Sequence, residues 1–438
     1  MHVSALKSFI DFKEKYLKFI DGEIKVVEIG SQSVNQSIKD LLDKKFKYTG
    51  VDIIDGENVD LVLKDPYKLP FENNSVDVVV SISTFEHTDF FWLTYLEILR
   101  ILKPEGLFFL NVPSNSKYHR HSNDNWRFYP DSSKALELWG KKNNYQPKVL
   151  EHFTNFELGR DIWNDYVSIT IKDGQYVEKY KNELIVIKYG GNVFIKREIF
   201  NNFIEDISLI NKLGLSIVVV HGGGPRIERE LKKENIKTRF INGLRVTDEK
   251  VIKIVERVLI DFNNDIVNSL NKKGTKAAPV NTKINNIIKV TPDKKELGFV
   301  GVPNEINTDI LKNLIENKQI PIVAPLGLDK NKITFNINGD TAASSIAKKL
   351  KSRRLLLMTN VEGVYDDRKN LISEIKPFDM ENLVKLKIVQ GGMLPKINNC
   401  IDAVENGVRG VVILDGRRPR SILHEIFSDK GAGTLIRK

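Results

Sequence analysis

The chain has 438 residues, a formal net charge of +10, 41% hydrophobic and 28% charged residues, and one cysteine, Cys400. At about 100–200 residues per domain this predicts two or three domains, and no apolar run reaches the roughly 20 residues that a bilayer-crossing helix needs. A lone cysteine rules out internal disulfides and fits a small core residue in a reducing cytoplasm, while lysines scattered along the chain argue against nucleic-acid binding.

The opening MHVSALKSFIDFKEKYLKF predicts an amphipathic helix and lacks the basic-then-apolar order of a secretory signal, so a cytoplasmic location is expected. Four apolar strands follow: KVVEIG, YTGVDII, VDVVVSIS and GLFFLNV. Helical stretches separate them, for example Phe90 to Leu102, and alternation of strand and helix predicts a parallel, doubly wound sheet. The pattern ends near Ile171, KDG marks a turn, and QYVEKYKNE reads as a short amphipathic helix or linker. A second series runs LIVIKYGG, LSIVVVHGGG, IPIVAPLG, RRLLLMTNVEGVY and GVVILDG, with a more polar stretch, Ala277 to Val302, suited to antiparallel strands. The expected boundaries are 1–172 for the first domain, 173–183 for the linker helix and 184–438 for the second domain.

In the first series Glu28 and Gly30 end a strand, and Asp52 closes the next. An acidic side chain about 20 residues past such a strand–turn is placed to accept ribose hydroxyls. With KDPYKLPFENNSVDVVVSISTFEH and LKPEGLFFLNVPS, residues 20 to 155 resemble class I S-adenosylmethionine-dependent methyltransferases. The family's E-x-G-x-G-x-G loop is reduced to Gly30, followed by Ser31, Ser33 and Asn35. The resemblance implies a Rossmann-like sheet and S-adenosylmethionine, with Glu28 and Gly30 at its methionine end, Asp52 at the ribose and Asp65 near the adenine. His87, His119 and His121 are candidate bases, and their cluster with Trp126, Arg127 and Tyr129 suits an acceptor-binding loop.

The second series carries glycines at strand ends. Gly222, Gly223 and Gly224 follow a buried strand and precede a helix expected near Arg226; Gly190 and Gly191 repeat the arrangement. Without a β-carbon, backbone N–H groups can approach phosphate oxygens, with a helix N-terminus behind them. A Walker loop is absent, and so is the G-x-S-x-G elbow that would accompany an HGGG oxyanion hole. Lys188 ends a strand beside Gly190, Lys396 follows the glycines of GGMLPK, and Asp340 sits at a predicted helix start. Phosphoryl transfer requires cations near the moving group, and a carboxylate can hold two lysines in place.

IVIKYGGN, VVVHGGGP, NGLRVTD, ELGFVGVP, NINGDTAA, GGMLPK and GAGTLI occur in the order found in acetylglutamate kinases, and from Leu184 onward the chain resembles that branch of the amino acid kinase family. The resemblance implies an open αβα sandwich and phosphorylation of the γ-carboxylate of N-acetyl-L-glutamate by ATP, with Mg²⁺ on the ATP phosphates. Lys188 and Lys396 would stabilise the transferring group and Asp340 would orient them. Gly190, Gly191 and Gly222 would bind phosphate, and Gly223, Gly224, Arg245 and Asn336 would bind substrate. No protein metal ligands are assigned. The family usually has Ala where Gly339 stands and often Asp where Asn360 stands.

Arginine-sensitive members carry an extra helix before this strand that interlocks dimers into a hexamer. Tyr176 to Tyr180 resembles it, so a dimer-based homo-oligomer, a hexamer, is expected. HEIFSDKGAGTLI resembles the arginine pocket, which would include Tyr176, Glu425 and Gly433. Arg420 stands where that family has His, and a cation there is expected to repel arginine. The sequence thus reads as an α/β protein of two domains, a methyltransferase-like sheet followed by an amino acid kinase. Two alternatives stay open: a kinase for a related N-modified acidic amino acid, and a first domain that serves as a non-catalytic binding or assembly module.

Overall fold

The strand Val76–Ile82 is buried at almost every position, as a strand must be when helices cover both faces of its sheet. It belongs to a computed structural model that describes residues 3–17, 20, 22–32, 37–115, 117–119, 123–155, 164–175, 183–190, 197–241, 243–386, 388–389, 393–427 and 431–438. The chain divides into two units, 1–179 and 180–438.

In the first unit the strands are ordered Leu61–Val62, Phe46–Asp52, Ile24–Ile29, Val76–Ile82, Leu102–Asn115, Asn164–Ile171, Lys148–Thr154. The first five run parallel to one another, and Asn164–Ile171 runs antiparallel to both of its neighbours. The all-parallel expectation is corrected at this edge. Only nine residues separate Lys148–Thr154 from Asn164–Ile171, fewer than the dozen or so that a parallel crossover needs, and the two strands pair antiparallel.

Two adjacent residues show how helices cover the sheet. Phe108 packs on Phe85 and Tyr95, with ring centroids 5.8 and 6.0 Å away, while Phe109 packs on Phe9 and Phe12 at 5.8 and 4.9 Å. Successive strand residues point to opposite faces, so the helix Val3–Phe12 covers one face and Phe91–Ile101 the other. The expected amphipathic opening helix is therefore part of the core, through Ala5, Phe9 and Phe12.

The second unit has an eight-stranded sheet ordered Ala277–Val280, Ile320–Val323, Ser216–His221, Leu184–Tyr189, Arg354–Thr359, Val411–Asp415, Gly433–Ile436, Glu374–Ile375. Only the pair Val411–Asp415 with Gly433–Ile436 is antiparallel. Leu184–Tyr189 lies centrally, with Lys188 opposite Val220 on one side and Leu357 on the other. The polar stretch divides: Ala277–Val280 joins the main sheet in parallel, whereas Ile288–Pro292 pairs antiparallel with Gly301–Ile306 in a separate four-stranded sheet. Ala277, Ala278 and Val280 are buried, which suits a main-sheet position better than a polar hairpin. Among the described residues no helix is long and apolar enough to cross a membrane.

Candidate active site

Lys188, Asp340 and Lys396 come from three elements and meet. Lys188 is the penultimate residue of Leu184–Tyr189, Asp340 stands in the first turn of the helix Gly339–Leu350, and Lys396 in that of Met393–Glu405. Lys188 Nζ lies 2.9 Å from Asp340 Oδ1, and Lys396 Nζ donates to Asp340 Oδ2 at 2.5 Å. Asn338 caps the helix, its side chain accepting from the Asp340 and Thr341 N–H groups at 2.9 and 3.1 Å. A helix N-terminus favours the carboxylate. Burial alone would push the Asp340 carboxyl up, but the ammonium groups of Lys188 and then Lys396 outweigh it and hold the carboxyl well below the usual range. Two ammonium groups thus flank one carboxylate, leaving a net positive charge.

A cavity of about 810 Å³ opens beside this cluster, lined by Lys188, Gly222, Gly223, Gly224, Arg245 and Asn336 among others. The helix behind the glycines begins at Gly224, two residues before the expected Arg226, with Gly223 as its N-cap and Pro225 in its first turn. Proline fits there because its missing N–H would have had no intrahelical partner. A β-carbon on Gly223 would press on Leu259, whereas one on Gly224 would meet nothing within 4 Å. Gly190 is buried beside Lys188; Gly191 lies outside the described residues.

Arg245 ends the short strand Leu244–Arg245. Its guanidinium sits 4.7 Å over the Phe240 ring and donates from Nη1 to Glu228 Oε2 at 2.9 Å and Thr238 Oγ1 at 2.6 Å. Glu228 holds the fork at the cavity wall, a partner the sequence reading missed. Asn336 ends the strand Thr334–Asn336, with its amide 3.5 Å from Thr247 Oγ1. Also missed was His221, the first residue of the glycine loop. It is fully buried, and burial pushes its imidazole down to about 4. Asn263 Nδ2 donates to its Nε2 at 3.1 Å, and its Nδ1 faces the Gly222 carbonyl at 3.0 Å. Asn281 in turn donates to Asn263 at 3.3 Å. A polar residue ending a buried strand just before three glycines was the signal available for it.

The proposed regulatory positions fare differently. Tyr176 to Tyr180 lie outside the described residues. Glu425 accepts from the Ala432 N–H at 2.8 Å, and burial raises its carboxyl. A β-carbon on Gly433 would overlap the Ile413 carbonyl. Arg420 is not the bare cation expected: its Nη1 donates to Asp206 Oδ1 at 2.7 Å and its Nη2 to Glu205 Oε2 at 2.6 Å. Two carboxylates of the helix Arg197–Lys212 cancel the charge that was expected to repel arginine. Cys400 is buried, and burial pushes its thiol up to about 12, as suits an inert core residue.

In the first unit, Gly30 has φ +78°, and a β-carbon there would collide with Thr84. Asp52 accepts from the N–H groups of Ile53 at 2.7 Å, Ile54 at 3.3 Å and Gln32 at 3.1 Å, which ties the strand end to the loop after Gly30. Glu28 is buried and accepts from the Tyr48 hydroxyl at 2.6 Å; burial raises its carboxyl to about 7. Asp65 caps a turn through the Tyr67 N–H at 2.9 Å. Trp126 donates to the Thr88 carbonyl at 3.0 Å, Arg127 pairs with Asp124, and Tyr129 is exposed. His87 and His119 stand edge to face, with centroids 5.0 Å apart. His121 lies outside the described residues.

An open α/β sheet with glycine loops at its strand ends and a Lys–Asp–Lys cluster defines a phosphoryl-transfer fold with no Walker loop. Residues 183–415 match the amino acid kinase family, and the chain belongs to that family. Residues 27–110 match a methyltransferase domain, which stands ahead of the kinase fold. The chain is 50% identical over 281 residues to the acetylglutamate kinase of Pelagibacter ubique (strain HTCC1062), a match spanning 63% of this chain and 98% of that protein. It is similar in structure to smu.665 from Streptococcus mutans UA159, with a TM-score of 0.50 and 30% identity over 58% of this chain and 98% of the other. N-acetylglutamate synthase from Neisseria gonorrhoeae shares the fold at a TM-score of 0.55 and 24% identity, over 60% of this chain and 61% of that one.

Proposed function

We propose that the second unit transfers the γ-phosphoryl group of ATP to the γ-carboxylate of N-acetyl-L-glutamate, giving an acyl phosphate and ADP, as in arginine biosynthesis. The observation that carries this reading is the Lys188–Asp340–Lys396 cluster beside a cavity lined by glycine N–H groups and Arg245. A carboxylate oxygen attacks the γ-phosphorus, the bond to the bridging oxygen breaks, and the electron pair leaves on ADP. The attacking carboxylate is already ionised at neutral pH, so no general base is needed. This agrees with Asp340 being committed to two lysines. Lys188 and Lys396 neutralise charge on the oxygens of the moving group, and Asp340 keeps both ammonium groups aimed there. Backbone N–H groups of Gly190, Gly191, Gly223 and Gly224 would approach phosphate and substrate oxygens, whereas the Gly222 N–H is already given to the Tyr189 carbonyl at 2.7 Å. Arg245 pairs with a substrate carboxylate and Asn336 binds its polar groups. The charge screening of the ATP phosphates would be supplied by Mg²⁺ bound with the nucleotide. Asp340 and Glu228 are already paired with cations, which suits a metal held mainly by phosphate oxygens.

For the first unit the reading is methyl transfer from S-adenosylmethionine. The residues fit that group: Gly30 lets the chain turn tightly at the carboxyl end of the sheet, and Asp52 presents a carboxylate two strands' breadth from Val76–Ile82. S-adenosylmethionine supplies the methyl group. Asp52 would hold the ribose, Asp65 would approach the adenine, and Glu28 would stay buried behind the methionine end.

Two assays test the readings separately. Trapping the acyl phosphate as a hydroxamate should give signal with N-acetyl-L-glutamate and ATP, and far less with glutamate or aspartate. Preference for another N-modified acidic amino acid would replace the substrate and leave the chemistry. Calorimetry with S-adenosylmethionine should show heat of binding that Asp52→Ala removes; no heat in the parent protein would make the first unit a non-catalytic module.

A further inference from the structure

Glu86, His87 and His119 converge at the carboxyl ends of two neighbouring parallel strands. Glu86 and His87 follow Val76–Ile82, and His119 follows Leu102–Asn115, which pairs with it. One donor atom from each lies within 4.8 Å of the other two. Asn125 and Trp126 donate backbone N–H groups to the Glu86 carbonyl at 2.8 and 3.2 Å, which lays the His119 loop against the Glu86 loop.

The Glu86 side chain is 1% exposed, and its Oε2 has no hydrogen-bond partner among the described residues. A buried carboxyl in that state is costly unless a proton or a cation satisfies it. His87 is held from behind by a hydrogen bond, and His119 stands beside a fixed carboxylate at ion-pair distance. His87 Nδ1 is held by the Asn123 carbonyl, while its Nε2 lies 3.8 Å from Glu86 Oε1. His119 Nδ1 lies 3.3 Å from Asp124 Oδ2, and Asp124 is fixed by Arg127 Nη2 at 2.8 Å and by the His119 N–H at 2.8 Å. Metal-ligating imidazoles commonly give one ring N–H to a carbonyl or carboxylate, which fixes the tautomer and turns the other nitrogen's lone pair to the ion.

We infer that Glu86, His87 and His119 bind one Zn²⁺-class divalent cation through a carboxylate oxygen and two imidazole nitrogens, with a fourth position left for water or an oxygen ligand. Two nitrogens and one oxygen suit Zn²⁺ and its neighbours, whereas Mg²⁺ and Ca²⁺ favour all-oxygen shells. Ligand atoms about 2.1 Å from a tetrahedral ion stand roughly 3.4 Å apart, so small side-chain rotations close the present spacing. This site is separate from the kinase chemistry and holds whether or not the first unit transfers methyl groups.

The test uses the untagged full-length chain, stripped with chelator and dialysed against Zn²⁺ alone. One equivalent per chain is expected. Glu86→Gln, His87→Ala and His119→Ala should each weaken uptake at least about tenfold, Asp124→Asn about 10- to 100-fold, and His152→Ala not at all. Tryptophan fluorescence checks that the first unit has folded in each variant. X-ray absorption on the Zn²⁺-loaded parent chain reads the ligands without any substitution and should show two imidazoles. No uptake, uptake unchanged in His119→Ala, or a spectrum without imidazole would each overturn the site.

Discussion

Lys188 folds back over Gly190, so that a β-carbon on Gly190 would overlap Nζ and Cε of the lysine. The same ammonium is held by Asp340 at 2.9 Å, so it cannot yield without leaving its partner. Gly190→Ala should therefore lower kcat at least about tenfold while the melting temperature changes little. Gly339 makes the contrast. A β-carbon there would stand 3.4 Å from Lys188 Cε, ordinary van der Waals contact, and Gly339→Ala should keep activity within about twofold and add up to about 1 kcal/mol of stability. Steady-state kinetics and thermal melts on the two variants check both.

Removing either lysine takes away charge stabilisation where charge develops. Lys188→Ala and Lys396→Ala should each cut kcat by about 10²–10³. Each single variant leaves Asp340 with one cation, whereas the double variant leaves a mostly buried carboxylate with neither. Its stability loss should exceed the sum of the single losses. Chemical denaturation of the three variants measures this, and strict additivity would mean that the cluster does not act as a unit.

Arg245 makes two hydrogen bonds and stacks on Phe240, and a lysine cannot reproduce the planar fork. Arg245→Lys should raise KM for N-acetyl-L-glutamate at least about tenfold and leave KM for ATP nearly unchanged. An equal rise for both substrates would point to a disturbed cavity wall instead.

Glu28 gives a pH signature confined to the first unit. Burial raises its folded carboxyl from 4.5 to about 7, so between those values the native state binds a proton that the unfolded chain does not. Stability of the unit should fall as pH rises through this window, by up to about 3 kcal/mol. All four tryptophans, Trp92, Trp126, Trp139 and Trp163, lie in residues 1–179, so fluorescence-monitored urea unfolding follows this unit alone. Glu28→Gln should reduce the dependence by its own share; the part that stays belongs to Glu86, whose carboxyl burial raises to about 8 in the same unit.

The sequence by itself determined the elements whose signals are local. Buried strands declare themselves by apolar runs, glycine loops by their position after those runs, and the start of the helix Gly339–Leu350 by Asp340 in NINGDTAASS. The motif order from Leu184 onward was enough to place the chain among amino acid kinases, and Lys188, Asp340 and Lys396 could be named before any geometry was known. The tertiary structure alone decided relations between residues far apart in the chain. Arg420 finds Asp206 across 214 positions, so its charge is paired and not bare. Ala277–Val280 joins the main sheet because a buried place beside Ile320–Val323 is open to it. His87 and His119 meet only because their strands are parallel neighbours in the middle of the sheet, with their carboxyl ends side by side. Periodicity and capping act over a few residues, but an ion pair or a ligand cluster depends on which strands are adjacent and in what register. That follows from how the whole apolar surface is buried, and no local stretch of sequence carries it.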